Sequence, residues 1–242
     1  MSTTERRTPV VPGEAVRSKP DVRSKPDVRN TPDIRSGPEG RVAGVVPSAG
    51  GSSRMGRSKA LLRLEGSTFV RRVVGLLAGA GCRPVVVVAA AGDEEVASEA
   101  RASGAEVVVN PDPGEGPITS LRLAIALLSG TVDGMLWLPV DHPAVLPETV
   151  EAVLAAARRQ GAHLALPVFE GRRGHPAYFG ATLFGELTDP ALAGGARTVV
   201  HRHLRGAALV EVSDRGVTTD VDTPREYEAL LSSHGAGART TR

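Results

Sequence analysis

The sequence predicts an α/β fold, a mostly parallel sheet with helices on both faces. Three observations predict it. Short β-branched apolar runs alternate with longer segments whose apolar residues recur at helical spacing. Glycine and proline cluster between them, with 28 glycines and 18 prolines in 242 residues. A hydrophobic fraction of 41% supplies a sizeable core.

The elements follow in order. Residues 42–47 (VAGVVP) form an apolar run that opens into a glycine-rich loop. Residues 69–80 carry helical spacing and stop at Gly81. Residues 83–90 (RPVVVVAA) read as a buried strand by length and β-branching. Residues 94–102 read as helix, 105–109 as strand and 110–116 (NPDPGEG) as loop. A helix over 118–128 precedes a strand over 132–140 that ends at Asp141. A helix over 147–159 and a strand over 163–167 complete the pattern. Strands alternating with helices imply parallel pairing. In such sheets ligands sit beyond the carboxyl ends of the strands, which directs attention to residues 48–59, 110–120 and 141–143.

Composition narrows the function classes. The chain holds 29 basic and 27 acidic residues, and its excess of +2 lies wholly in the first 40 residues. Seven aromatics offer little to stack on bases, so a nucleic-acid partner is not expected for the folded part. The apolar runs are too short to span a bilayer, and the polar N-terminus has no secretory h-region. One cysteine, Cys82, allows neither a disulfide framework nor a cysteine-based zinc site. A cytoplasmic location is expected.

Residues 1–40 contain a six-residue repeat, VRSKPD, VRSKPD, VRNTPD and IRSGPE. A proline in every unit prevents helix, and one Val or Ile per unit cannot offset the entropy of ordering. The expected organisation is a disordered tail over 1–40, a domain over 41–233 and a disordered tail over 234–242.

Three segments carry the chemistry. The loop PSAGGSSRMGRSK, residues 47–59, follows the first strand. Its Gly50, Gly51 and Gly56 let the backbone approach an anion, and successive N–H groups can form a nest. Arg54 and Lys59 add positive charge. The spacing fails the P-loop pattern because lysine comes two places late, and G-x-G-x-x-G is absent. Lysine occurs only at Lys19, Lys25 and Lys59, while arginine supplies every other basic residue of the domain. A compact ammonium at the loop's end suits phosphate.

The second segment is LPVDHP, with Asp141 directly after a buried strand. Opposite a phosphate loop its work is to hold Mg²⁺, which favours carboxylate and phosphate oxygens. The third is TTDVDTPREY, where Asp220 and Asp222 share one face if extended. Asp222, Thr223 and Pro224 also read as a helix start. The turn GRRGHP, residues 171–176, faces an anionic acceptor or simply joins two strands. Gly194, Gly195 and Arg197 stand at a helix start, a fair anion site. His142, His163, His201 and His203 show no metal-ligand spacing.

Together these residues resemble the MobA-like NTP transferases, nearest to the molybdenum-cofactor cytidylyltransferase branch. The family's opening pattern, AAGxSxRMGxxKxLL, matches residues 48–62. The likeness continues through Asn110-Pro, Gly116, Ser120-Leu121, the turn at Asp141, Gly174-His-Pro176, Gly195-Ala-Arg197 and Asp220-Val-Asp222-Thr-Pro224. Pro47-Ser48 replaces the usual Leu-Ala, and His142 stands where Gln is common.

The resemblance implies a Rossmann-like three-layer nucleotidyltransferase fold of the nucleotide-diphospho-sugar transferase type. It implies transfer of a nucleoside monophosphate from an NTP, CTP favoured, to a phosphorylated small-molecule acceptor such as molybdopterin cofactor, releasing pyrophosphate. It assigns Arg54, Lys59 and Asp141 to catalysis. Ser48, Ala49, Gly50, Gly51, Arg54, Lys59 and Ser120 go to the nucleotide, Asp141 and Asp222 to Mg²⁺, and Gly174, His175 and Arg197 to the acceptor. A molybdoenzyme-maturation partner is also implied. The competing readings are a sugar-1-phosphate nucleotidyltransferase, an oxidoreductase and a non-catalytic nucleotide-binding module.

Overall fold

The structure, a computed structural model, describes residues 40–50 and 58–237. The repeat and its expected disorder lie outside the described residues. The strands are β1 (Val42–Pro47), β2 (Arg63–Leu64), β3 (Ser67–Thr68), β4 (Val85–Ala90), β5 (Glu106–Asn110), β6 (Gly134–Trp137), β7 (Leu164–Phe169), β8 (Arg172–Arg173), β9 (Ala177–Gly180) and β10 (Ala208–Glu211). The helices are α1 (Phe69–Gly79), α2 (Glu94–Ala102), α3 (Pro117–Leu128), α4 (Pro147–Gln160), α5 (Phe184–Thr188), α6 (Ala196–His203) and α7 (Pro224–Gly237).

The main sheet runs β10-β7-β9-β6-β1-β4-β5, with β8 folded back onto β7. β1 pairs parallel with both β4 and β6, and β4 with β5. β9 is antiparallel to β6 and to β7, so β7 points the same way as β1. The carboxyl ends of β1, β4, β6 and β7 therefore share one edge of the sheet.

Period-two alternation sorts side chains into two cores. Val42 and Val46 of β1, with Val85, Val87 and Ala89 of β4, face one side. There they pack against Phe69, Val73 and Leu77 of α1, Val96 of α2 and Leu154 of α4. Ala43, Val45, Val86 and Val88 face the other side, against Leu121, Ile125 and Leu128 of α3 and Leu187 of α5. The result is the expected three-layer sandwich. Gly44 shows how tightly α1 seats on β1, since a Cβ there would lie 2.9 Å from Leu77.

The predicted elements are found with small shifts. The strand expected over 132–140 is regular only over Gly134–Trp137. Beyond it the chain stays extended, with Leu138 donating to Val45 O at 3.0 Å and Val140 to Pro47 O at 3.3 Å. Pro139 between them has no N–H to pair. The helix over 118–128 begins one residue earlier, at Pro117, which suits a first turn. The domain boundary expected at residue 233 falls inside α7, which runs to Gly237. No described helix is long and apolar enough to cross a membrane.

Candidate functional site

The site stands on the carboxyl edge of the sheet. Lys59 starts a 3₁₀ turn on the far side of the glycine loop. Its ammonium contacts the Asp222 carboxylate directly and lies 3.7 Å from Asp141 Oδ2. Asp141 comes from the chain beyond β6, and Asp222 from 81 residues later. Their meeting is fixed by main chain, because Val221 N–H donates to Asp141 O at 3.0 Å. That bond lays residues 221–222 beside 141. A cleft lined by Pro47, Ser48, Gly50, Ser58, Lys59, Ala60, Val140 and Asp141 opens next to the cluster.

Burial pushes the Asp141 carboxyl up, and the carboxylates of Asp222 and Asp220 push it the same way. His142 and Lys59 oppose them without cancelling the effect. Acid is thus crowded here, and among the described residues Lys59 is its near cation. His142 is buried, its Nε2 4.0 Å from Asp141 Oδ1 and its Nδ1 3.4 Å from Gly216 O. Its ring centroid stands 4.8 Å from that of His175. Burial first, then the neighbouring His142, drives the His175 pKa down to about 3. His175 is therefore neutral at physiological pH, and its Nδ1 has no hydrogen-bond partner among the described residues.

Residues 44–208 match the sequence profile of the MobA-like NTP transferase domain. The chain belongs to the MobA-like NTP transferase family. It is 32% identical over 202 residues to the nicotine blue oxidoreductase of Paenarthrobacter nicotinovorans, covering 78% of this chain and 96% of that one. It is 32% identical over 178 residues to a probable molybdenum cofactor guanylyltransferase of Mycobacterium avium, covering 72% of this chain and 83% of that one. Among solved structures it resembles the manganese complex of Rv0371c from Mycobacterium tuberculosis, with TM-score 0.67 and 27% identity over 80% of this chain and 99% of that chain. The fold is that of the nucleotide-diphospho-sugar transferases.

In this MobA-like domain the other predicted residues fall into three groups. Ser48 and Ala49 are buried at the end of β1, and Ser48 Oγ has no partner among the described residues. Ser48 N–H donates to Val88 O at 2.8 Å, which fixes the residue at the cleft wall. Gly50 is exposed, and among the described residues no atom lies within 4 Å of where its Cβ would stand. Gly51 and Arg54 lie outside the described residues.

Ser120 is buried rather than presented. Its hydroxyl accepts from Asn110 Nδ2 at 3.1 Å, and Thr119 Oγ1 accepts from the same amide at 2.9 Å. Asn110 Oδ1 in turn accepts from Asp112 N–H at 3.0 Å. These bonds brace the 110–120 loop against the first turn of α3.

Of the residues assigned to the acceptor, Gly174 is required by packing. A Cβ there would fall 2.1 Å from Val217 O. Its neighbour's N–H donates to that same oxygen at 2.9 Å. Arg197 is exposed on the first turn of α6, after Gly194 and Gly195 at φ 77° and 61°.

Three positioning residues escaped the sequence reading. Buried Asp214 accepts from Leu146 N, Thr149 Oγ1 and Gly216 N, each at 2.8 Å. It ties the chain after Asp141 to the chain before Asp222. Glu226 Oε2 accepts from the N–H groups of Asp222 and Thr223, both at 2.8 Å, while Thr223 Oγ1 accepts from Glu226 N at 3.3 Å. This is a capping box, and its T-x-x-E signature was legible. Tyr227 donates to Arg63 O at 2.8 Å and accepts from Arg63 N at 3.3 Å, fastening α7 to β2. Its ring meets Phe69 edge-on at 5.9 Å.

Proposed function

We propose that this protein transfers a nucleoside monophosphate from an NTP to a small phosphorylated acceptor, molybdopterin cofactor in the first instance, in the cytoplasm. The observation that supports this most is Lys59 set between Asp141 and Asp222, beside the cleft at the carboxyl end of β1. An acceptor phosphate oxygen attacks the α-phosphorus of the NTP. The α–β phosphoanhydride bond breaks, and its electron pair leaves with pyrophosphate. Such a step needs positioning and charge neutralisation rather than a covalent nucleophile.

The described residues contain no group of three or more His, Cys, Asp or Glu able to enclose a metal. Two carboxylates meeting at one cation are instead what Mg²⁺ uses when substrate phosphates and water complete its shell. Asp141 and Asp222 fit that role. A bound Mg²⁺ would neutralise triphosphate charge and so ease departure of pyrophosphate. The manganese in the Rv0371c structure supports a divalent ion of this class.

Lys59 holds the two carboxylates together and offers its ammonium to the phosphates. Ser48 and Gly50 line the cleft, with Ser48 Oγ available to the nucleotide. Arg54 is assigned to the triphosphate by its place in the loop pattern. The guanylyltransferase name of the Mycobacterium avium relative makes GTP the first nucleotide to test, and the likeness to the cytidylyl branch makes CTP the second.

Pyrophosphate release with GTP, CTP, ATP and UTP, each with molybdopterin and with a sugar 1-phosphate, tests the reading. Release with molybdopterin and one NTP is expected. The absence of release with every pair would reject it. The oxidoreductase name of the Paenarthrobacter relative supplies a second reading. Reduction of a pigment at the expense of NADH or NADPH, without pyrophosphate release, would favour that reading instead.

A further inference from the structure

We propose that the pocket at the carboxyl end of β7 is the subsite for the acceptor's phosphate, an assignment that rests on the nucleotidyltransferase reading above. The pocket has a volume of about 260 Å³ and is lined by Phe169, Glu170, Arg172, Arg215, Thr218 and Thr219. Two elements build it. One is the β7–β8 turn, in which Phe169 pairs with Arg172. The other is the 3₁₀ turn Arg215–Thr218, capped by Asp214, whose side chain accepts from Gly216 N. Gly174 and His175 weld the two together, through Gly174 N–H to Pro167 O at 3.0 Å and His175 N–H to Val217 O at 2.9 Å.

The charge pattern points to an oxyanion. Arg172 and Arg215 are both exposed, and among the described residues neither guanidinium has a carboxylate within ion-pair distance. Among the described residues three arginines are ion-paired instead, Arg71 with Glu99, Arg72 with Glu65 and Arg202 with Glu186. Glu170 is the acid on the rim and forms no ion pair with either arginine. Thr218 and Thr219 both donate to Arg215 O, at 3.3 and 2.9 Å. Those bonds hold the start of the turn in place beneath the arginine. Two guanidinium forks converging on one pocket match a phosphate monoester, which accepts paired N–H bonds from each. Phe169 adds an apolar wall for the group that carries the phosphate.

Position supports the same role. β7 lies three strand spacings from β1, about 14 Å at the usual separation of neighbouring strands. β6, which leads to Asp141, lies between them. Thr219 is three residues before Asp222, a reach of about 10 Å at most. Nucleotide cleft, carboxylate pair and arginine pocket therefore lie in that order along one sheet edge. This order lets an acceptor phosphate enter from the side opposite the NTP.

The test uses phenyl phosphate as the probe, titrated by ³¹P NMR into the wild-type protein and into R172A, R215A and the double variant. GTP and CTP binding are measured separately by calorimetry. Both arginines are exposed, and unchanged thermal unfolding confirms that the variants fold. At least tenfold weaker phenyl phosphate binding in the double variant, smaller losses in the singles and unchanged nucleotide binding are expected. With molybdopterin as acceptor, KM for acceptor rises while KM for NTP holds. Phenyl phosphate binding that is equal in wild type and double variant, or undetectable in wild type, overturns the assignment and leaves the nucleotide cleft untouched. Failure of wild type to bind any nucleotide overturns the nucleotidyltransferase reading instead, and does so in a separate titration.

Discussion

The segment after β6 and the segment before α7 each bring one aspartate to Lys59, and they hold it by different means. Asp141 follows a strand paired on both sides, and its position is inherited from the sheet. Its side chain is 26% exposed and its carboxyl is pushed up by burial. Asp222 is 41% exposed and belongs to no strand. Its backbone is held by Val221 N–H on Asp141 O and by the Glu226 carboxylate. One carboxylate is placed by architecture at an electrostatic cost, and the other by a few hydrogen bonds in a solvated place. Substitutions should therefore act on activity and stability in opposite proportions in the two regions.

The largest effect is expected at Asp141. D141N should lower turnover at least about 10²-fold, the scale for losing one charge-stabilising group. It should also raise thermal stability. A carboxyl whose pKa is raised by folding stabilises the protein fully below its unfolded value and loses that contribution as pH rises through its folded value, so at neutral pH its ionised form is a cost. Asn removes that cost. A D141N protein with a lower melting temperature would break the comparison. K59A should lose turnover on the same scale and, unlike D141N, lose stability, because two carboxylates then face each other without their shared cation.

Next comes Gly174. A Cβ at 2.1 Å from Val217 O forces the welded turns apart, so G174A should cost about 3 kcal/mol in denaturant unfolding. Smaller again is E226A, which strips the acceptor from the N–H groups of Asp222 and Thr223. A lost cap is worth about 1 kcal/mol, or roughly fivefold in Mn²⁺ affinity read by electron paramagnetic resonance. E226Q keeps an acceptor oxygen and should recover most of that affinity. Equal loss in both variants would show that charge, not backbone placement, is what Glu226 supplies.

The smallest effect is a slope. His175 titrates at about 3 in the fold against an ordinary 6.5. It binds its proton more readily unfolded, so stability is full above pH 6.5 and falls as pH drops toward 3. H175N should lessen the pH dependence of unfolding in that window by up to about 1.4 kcal/mol per pH unit. Parallel profiles for H175N and wild type would exclude His175 as the source.

Much of this was legible in the residues. Apolar runs and their helical partners showed β1, β4, β5, β6 and β7, because burial on both faces leaves a continuous β-branched signature. β9 was read only as an apparent strand after the GRRGHP turn and β10 not at all, since so short a strand carries too little pattern to declare its pairing. Asp141 and Lys59 could be read from their places at strand and loop ends. Asp222 needed the family pattern as well, because a helix start explained it equally well. Asp214 was invisible in its burial: beyond the local cap to Gly216 N, its partners Leu146 N and Thr149 Oγ1 come from a distant turn that the sequence does not bring to it. Ser120 shows the converse, a residue carried over from a pattern whose hydroxyl here braces a loop.

The clasp of Tyr227 on Arg63 has a consequence for synthesis. As the chain leaves the ribosome, β1, Lys59, β6 and Asp141 are all available well before residue 222. The sheet's parallel core can form around them while the second carboxylate has still to be made. Until the segment before α7 emerges and Val221 reaches the Asp141 carbonyl, with the tyrosine of α7 then fastening the helix to β2, Lys59 stands beside one aspartate and still awaits the other. The order of translation thus delays the complete carboxylate pair to the last helix.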